Sequence, residues 1–350
     1  MKTSADIGPQ VLNDVRRQLQ VDDQWVVTEP QSLAWWGHRL RQKVAAEKAV
    51  TRGGLGIVKI WAETDLLTDV PNEPKVEAMI GVLNSTAALN TLVWRPKERR
   101  LSLRCASYIY NDIRGWMTGM FCSAVAMQIA EAEGRAESLQ KLFGGRIQSS
   151  AHPTSGVRQE PDDMLNVLSV FRTAKDAVSP FYGSEMLNLL ASFEKQLPMT
   201  GDQSGATIEF PFPDSIPPTV LVRLLSDVPH PTYGSGVMFL MKLPSLPSGR
   251  PSGAALANLL NLAEIDQIES GYGFGAWCLD VENQKGTAYV GFLPAAMFKP
   301  GLLNNIVVSL SAKARWAHFF LDLGNNAEQV TLWHKFQVRL LGLLSKSAKA

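Results

Sequence analysis

The residues best placed for covalent chemistry are Ser192 and Lys195. The run Ser-Phe-Glu-Lys at 192–195 matches the SxxK pattern, in which a lysine three residues along a helix can reach the serine hydroxyl and activate it as a nucleophile. The companion signatures SDN and KTG are absent from the chain, and two fixed positions in four residues occur often by chance. A Ser-His-Asp triad is defined by geometry rather than by sequence order. The sequence therefore nominates no catalytic residue.

Metal and phosphate sites are not indicated by the spacing of their usual ligands. The five histidines occur singly, without HxH, HExxH or CxxC spacing, so a zinc site would have to gather ligands from distant segments. The glycines of GYGFG at 271–275 precede a predicted strand rather than a helix. They therefore predict a loop or bulge with close backbone packing, and not a phosphate-binding loop. We expect no cofactor and no metal.

The segment AWWGHRLRQK at 34–43 is the strongest candidate for a binding surface. If it is one strand, successive side chains alternate between two faces, and one face combines an aromatic ring with cations. That face carries Trp35, Arg39, Arg41 and Lys43. Such a face could dock an acidic or aromatic segment of a partner. In the alternative interpretation, Trp35 packs under the N-terminal helix and the cations are ordinary surface charge.

A second cationic segment is the turn RPKERRLSLR at 95–104, which supplies five cations against one Glu. Its candidate binding residues are Arg95, Arg99 and Arg104, which could contact a carboxylate or a phosphate. Hairpin tips are also often charged for solubility alone. No exposed aromatics are interleaved with these cations and no RNA-binding motif accompanies them, so we do not expect nucleic acid as a partner.

Composition narrows the class of protein. Lys plus Arg number 34 and Asp plus Glu 33, so the formal charge of +1 gives no global attraction for nucleic acid or an anionic membrane. The three cysteines, Cys105, Cys122 and Cys278, are odd in number and lie in apolar runs, which predicts buried free thiols in a reducing compartment. The N-terminus has no apolar core of signal-peptide length, and the uncharged stretch 115–130 is shorter than the roughly 20 residues that span a bilayer. We expect a cytoplasmic protein that does not enter membranes.

The chain contains an internal repeat of whole structural units. VLNDVRRQLQ, starting at Val11, aligns with MLNLLASFEKQL, starting at Met186, and Gly56 aligns with Gly236. The elements that follow recur in the same order, with Trp94 and Trp277 in matching strands. In each copy, strands precede the glycine turn. An amphipathic helix, a two-strand unit and a long helix follow the turn in that order. The predicted ranges are strands 25–28 and 35–42, helices 73–89 and 111–143 in copy one, and strands 206–210 and 220–226, helices 252–268 and 300–323 in copy two.

These elements predict an α+β fold, built as a tandem duplication of an α-β-β-β-α-β-β-α unit. Short connections between the strands require mostly antiparallel, bent sheets, with helices packed on one face. We expect a first unit at 1–144, a linker and linking helix at 145–181, a second unit at 182–324 and a C-terminal helix at 325–350. The stretch 144–161 is rich in Gly, Ser and Pro, which predicts an exposed and mobile linker.

The element order resembles the type III secretion chaperone-like (Tir chaperone) fold, here as two tandem copies that span most of residues 9–323. The resemblance is one of topology, because that fold has no sharp sequence motif. It implies a protein that binds another polypeptide, with the two units packed as an intramolecular pseudo-dimer where the family uses a homodimer. Chaperones of this family are typically small and acidic, whereas this chain is long and near neutral.

Three classes of function follow from these observations, the third being a structural scaffold with no client, which would form a stable homo-oligomer through the last helix. The first is a non-enzymatic chaperone-like or adaptor protein that binds another protein or peptide segment, as a monomer or a weak homo-oligomer. The second is a hydrolase or transferase whose site is assembled between the two units. The duplicated unit and the lack of a catalytic motif favour the first, and we expect copy one to bind, because copy two carries Leu221, Arg223 and Leu225 on the equivalent strand.

Overall fold

The structure is a computed structural model. It describes residues 7–52, 55–110, 113–193, 197–212, 215, 217–244, 246, 251–266, 273–283 and 285–321. The predicted C-terminal helix at 325–350 lies outside the described residues, and so do Glu194 and Lys195.

The first half of the chain forms an antiparallel sheet whose strand order is β1-β2-β3-β5-β7-β6, with β4 and β8 paired to β5. Its helices are α1 (Ile7–Leu19), α2 (Pro74–Asn84) and α3 (Arg114–Phe143). Its strands are β1 (Val26–Glu29), β2 (Ser32–Trp36), β3 (Arg41–Ala46), β4 (Val50–Arg52), β5 (Leu55–Thr68), β6 (Thr91–Arg95), β7 (Arg100–Tyr110) and β8 (Arg146–Ile147). A short helix, α4 (Leu168–Phe171), follows a 3-10 turn at Asp163–Val167.

The second half forms a six-stranded antiparallel sheet with the order β9-β10-β11-β12-β14-β13. Its helices are α5 (Ser184–Phe193), α6 (Gly253–Asp266) and α7 (Leu302–Phe320). Its strands are β9 (Met199–Gly201), β10 (Gly205–Pro211), β11 (Thr219–Leu225), β12 (Gly236–Lys242), β13 (Ala276–Leu279) and β14 (Thr287–Pro294).

The two halves repeat one topology, which confirms the predicted α+β duplication. Strands β1, β2, β3, β5, β7 and β6 correspond in order to β9, β10, β11, β12, β14 and β13, and each set has one helix before it, one after its fourth strand and one at its end. Before its second helix the first copy has two strands more than the sequence predicted, one of them the short β4, and the second copy has one more. Trp94 and Trp277 lie in the matching strands β6 and β13, and both are buried.

The prediction of one strand over residues 34–43 is wrong. The chain turns after Trp36, and β2 pairs antiparallel with β3 so that Trp35 lies opposite Gln42 and Trp36 opposite Arg41. Because of this turn, Trp36 shares a face of the sheet with Arg41, and Trp35 shares the other face with Gln42. Gly37 occupies this turn, where a Cβ atom would lie 3.1 Å from Leu165 Cδ2, so the close approach of the 3-10 turn favours glycine.

The two faces of the first sheet have different environments. One face is covered by α1 and α3, and a buried polar cluster ties it to α3: Gln42 donates to the Gln128 side chain and to Val125 O, and Thr64 Oγ1 also contacts Gln128 Oε1. Because side chains alternate along a strand, the neighbours of Gln42 and Thr64 point to the opposite face. That opposite face carries the candidate site.

The described residues divide into two compact units, one formed by 7–80 and 89–170, the other by 81–88 and 171–321. The stretch 144–161, predicted to be an exposed and mobile linker, is therefore part of the first unit, and the division falls after residue 170, inside the predicted range 145–181. We call residues 146–158 the connector. It contributes β8 to the sheet, forms a bridge between Ser149 and Leu40, and is held at its end by Arg158, whose Nη1 donates to Trp36 O at 2.9 Å. The connector is thus paired to the sheet and is not a free linker.

Candidate functional site

The candidate site is a cleft on the open face of the first sheet. Its volume is about 330 Å³, at the lower end of the ~300–1,000 Å³ range of ligand pockets. Strands β3, β5 and β7 provide most of its lining and the connector provides the rest. The lining residues are Arg41, Lys43, Trp61, Glu63, Asp65, Arg100, Gln148 and Ser150.

Glu63 is the buried centre of the charged residues around the cleft. Its carboxylate lies 2.6 Å from both Arg95 Nη1 and Arg104 Nη1, and it accepts a hydrogen bond of 2.8 Å from Ser102 Oγ. Burial alone would raise the pKa of Glu63, but the two guanidinium groups and the hydroxyl outweigh it and lower the pKa below its usual value. Glu63 therefore stays ionised and its charge is satisfied within the protein.

Asp65, two residues further along β5, is much less well compensated. Its Oδ2 is 3.3 Å from Arg100 Nη1, while Arg100 Nη2 makes a shorter contact of 2.6 Å with Glu98. The other oxygen of Asp65, Oδ1, is buried without a hydrogen-bond partner. Burial raises the pKa of Asp65, and the attraction of Arg100 does not cancel this effect. The structure thus leaves Asp65 short of a cation.

Arg41 and Lys43 line the other side of the cleft and have no carboxylate within salt-bridge distance among the described residues. Both lie over tryptophan rings: Arg41 Cζ is 5.8 Å from the centre of Trp36, and Lys43 Nζ is 5.8 Å from that of Trp61. Arg104 Cζ lies closer to Trp61, at 4.5 Å. The cleft therefore offers two unpaired cations beside an aromatic wall, an arrangement that attracts an anionic or aromatic ligand group.

The structure brings four of the seven predicted binding residues together. Arg41 and Lys43 line the cleft, and Arg95 and Arg104 lie beside it, although both are largely buried against Glu63. The hairpin cations at these two positions are therefore not exposed surface charge.

The other three predicted residues are not part of the cleft. Trp35 is 1% exposed and lies on the helix-covered face, because it is opposite Gln42 and not Arg41. Arg39 lies in the turn and donates to Glu137 Oε1 at 2.8 Å. Arg99 has a positive φ of 52° and donates to the carbonyls of Asp69 and Val70. Trp36 replaces Trp35 as the ring beside the cations.

The nucleophile candidates do not assemble a catalytic group in the described part of the chain. Ser192 Oγ donates to Asn188 O, its own helical turn, while its predicted partner Lys195 lies outside the described residues. Gly275 has φ of 112° and a Cβ there would lie 2.4 Å from Val290 O, which confirms close backbone packing at this glycine, while Gly271 and Tyr272 lie outside the described residues. Within the described ranges, no three His, Cys, Asp or Glu side chains are arranged to hold a metal ion.

All three cysteines are free and buried, as predicted, and burial raises the pKa of each thiol to about 12. Because the thiolate is the reactive form, we expect the folded protein at pH 8 to resist alkylation by iodoacetamide, and all three thiols to react once denaturant is added. Mass spectrometry of the intact chain measures this directly. Rapid alkylation of one thiol in the folded protein would contradict the expectation and would make that cysteine a candidate nucleophile for covalent catalysis.

Comparison of the chain with protein-family models, with curated proteins and with solved structures found no match. Among the described helices, none is both long and apolar enough to cross a membrane. The function therefore has to be inferred from the fold and from the cleft.

Proposed function

We propose that this protein is a non-enzymatic chaperone-like or adaptor protein of the cytoplasm that binds another polypeptide in the cleft of its first unit. The observation that carries the proposal is a pair of cations, Arg41 and Lys43, that have no carboxylate partner in the part of the chain that the structure describes and lie beside Trp61 in a concave site. An acidic side chain of a partner would gain two charge-assisted contacts there, with the tryptophan ring packing against its aliphatic part.

Three further observations support the proposal. The duplicated topology resembles that of type III secretion chaperones, which bind polypeptides. Buried free thiols suit a reducing compartment. The second unit does not duplicate the cleft's chemistry, because the open face of β11 carries Leu221, Arg223 and Leu225 where β3 carries cations. The alternative of a hydrolase or transferase has no nominated nucleophile among the described residues.

The test compares the double variant Arg41→Gln/Lys43→Gln with wild type and with Arg223→Gln, a matched control for an exposed arginine on the equivalent strand of the second unit. Tagged proteins capture partners from a lysate of the native host, with and without nuclease treatment, and the affinity of the main captured protein is then measured with purified components. We expect the double variant to lose affinity about tenfold or more, with an unchanged melting temperature, because two charge-assisted contacts are removed.

Wild-type binding should also weaken between low and moderate salt, because the cleft is partly open to solvent and its charges are screened. Equal affinity of the double variant and wild type would contradict the assignment of the cleft. An equal loss in Arg223→Gln would show that general surface charge is responsible. Capture that disappears after nuclease treatment would mean that the ligand is a nucleic acid and would overturn the proposal.

A further inference from the structure

The cleft has two poles of opposite charge, and this bears on what kind of segment it can take. Lys43 lies directly opposite Glu63 on the paired strands β3 and β5. Glu63 is paired with both Arg95 and Arg104, a cluster whose net charge is positive, so Glu63 offers no negative charge to a ligand. The positive pole therefore consists of Arg41 and Lys43, which are unpaired among the described residues and one strand away from Asp65.

Asp65 forms the negative pole. Its side chain is 33% exposed, and Arg100, its one cationic neighbour within salt-bridge distance among the described residues, is shared with Glu98 at the shorter distance. A carboxylate that is partly desolvated and weakly paired gains from an additional cation or hydrogen-bond donor. A ligand with only negative charge would bring a like charge close to Asp65, which is unfavourable.

The spacing of the poles fixes the spacing of the matching groups. Lys43 and Asp65 are diagonal neighbours on adjacent strands, which separates their Cβ atoms by a little less than about 7–8 Å. Arg41 follows in the same register across from Asp65, but its guanidinium lies over the Trp36 ring, so Lys43 sets the spacing of the two poles. In an extended segment, side chains two residues apart point to the same side and lie roughly 7 Å apart. An acidic and a basic side chain at positions i and i+2 would therefore reach the two poles together, while adjacent ones would point to opposite sides.

From this geometry we infer that the segment bound in the cleft is extended and zwitterionic, with an acidic side chain held by Arg41 and Lys43 and a basic side chain two residues away held by Asp65. This inference rests on the proposed function, since it names the class of polypeptide segment that the same cleft takes. The backbone amide and hydroxyl groups of such a segment would also find Gln148 and Ser150 on the connector side of the cleft.

The experiment uses the full chain and four synthetic peptides: Ac-Thr-Glu-Thr-Lys-Thr-NH₂, the same peptide with Gln for Lys, the same with Gln for Glu, and Ac-Thr-Glu-Lys-Thr-Thr-NH₂ with adjacent charges. Binding is followed by NMR through the indole N–H of Trp61, assigned with Trp61→Phe. We expect the first peptide to bind about fivefold more tightly than each of the others, the size of effect expected for a partly exposed ion pair.

Protein variants separate the two poles. In Asp65→Asn, the affinity for the first peptide should fall to the affinity for its Lys-to-Gln version, because the neutral amide of Asn does not attract the lysine ammonium of the peptide. In Arg41→Gln/Lys43→Gln, replacing the peptide's Glu by Gln should make no difference. The matched control Arg223→Gln should keep the full order of affinities.

The outcomes distinguish this inference from the proposed function. Equal binding of the Lys and Gln peptides to wild type, or equal binding of the two charge spacings, overturns the zwitterionic segment. Continued dependence on the peptide's Glu and on Arg41 and Lys43 would then still support the cleft as a site for acidic segments. Absence of Trp61 shifts with every peptide also overturns the inference, and the capture experiment alone would decide the proposed function.

Discussion

Replacement of Glu63 by Gln is expected to lower the free energy of unfolding by about 3 kcal/mol at pH 7. The side chains of Arg95 and Arg104 are only 12% and 8% exposed, and both place a guanidinium nitrogen 2.6 Å from the Glu63 carboxylate. Removing one member of a buried ion pair leaves the remaining charge without compensation, which costs roughly 3–5 kcal/mol. Here two charges lose their common partner, while the amide of Gln keeps one hydrogen-bond acceptor. Urea unfolding measures the effect.

The same variant has a defined pH dependence. Because the pKa of Glu63 is lowered in the folded state, its contribution to stability is fully present above the ordinary glutamate value of 4.5 and is lost as the pH falls through the folded-state pKa. The difference in stability between wild type and Glu63→Gln should therefore be constant from pH 7 to pH 5 and should shrink below pH 4.5. A constant difference down to pH 3 would contradict the assigned role.

Asp65→Asn is the matched control, because it removes a carboxylate on the same strand and the same face. The pKa of Asp65 is raised, so its ionised form is disfavoured in the folded state and stability falls as the pH rises through that titration. Removing the charge should leave the protein at neutral pH as stable as wild type or slightly more stable. If Asp65→Asn destabilises as much as Glu63→Gln, the loss reflects general disturbance of the sheet and not the ion pairs of Glu63.

Element order was predictable from the sequence because it depends on local patterns. Apolar spacing, glycine turns and strand alternation recur in both halves, and these signals are enough to establish a duplicated α+β unit. The extra strands were missed because β4 and β9 have only three residues each and β2 was interpreted as part of a longer strand. A run such as Trp-Trp-Gly-His gives no alternation break, so Gly37 was the only local sign of the turn.

The part of the site that depends on local sequence patterns was predictable, and the part that depends on sheet pairing was not. Arg41 and Lys43 were predicted as site residues because they alternate along one short segment. The turn after Trp36 was not predicted, so Trp35 was expected on the same face as these cations, where the structure has Trp36. Trp61, Glu63 and Asp65 alternate along β5 but were not predicted as site residues, because only sheet pairing places them beside β3. Which cations are unpaired is a tertiary property, because Glu63 meets Arg95 and Arg104 through strands distant in sequence.

The connector shows a signal that the sequence did contain. His-Pro-Thr-x-Gly occurs at 152–156 and again at 230–234, and both copies form the same turn. In each, the histidine Nδ1 accepts hydrogen bonds from the backbone N–H groups two and three residues later, and the glycine N–H donates to the histidine carbonyl at 3.0 Å. A motif that recurs within one chain indicates an ordered turn, despite a composition typical of linkers.

The second unit contains a buried ion pair that should matter as much for stability as Glu63 does in the first. Lys313 of α7 is fully buried, and its Nζ lies 2.6 Å from Glu264 Oε1 and 4.3 Å from the ring centre of Tyr289. Burial lowers the pKa of Lys313, and the attraction of Glu264 only partly opposes this effect. Glu264 Oε1 also accepts a hydrogen bond of 2.7 Å from Trp277 Nε1. This cluster joins α6, α7 and β13 of the unit.

Lys313→Met is therefore expected to lower the free energy of unfolding by about 3 kcal/mol, because Met fills most of the volume but leaves the Glu264 carboxylate without its ammonium partner. The double variant Lys313→Met/Glu264→Gln should be more stable than Lys313→Met, since Gln retains an acceptor for Trp277 and carries no charge. The two substitutions would then be strongly non-additive, as expected for residues in direct contact. Thermal and urea unfolding of the four proteins measure this cycle. Additive losses would mean that Lys313 acts through packing, and the ion pair would then contribute little to the stability of the second unit.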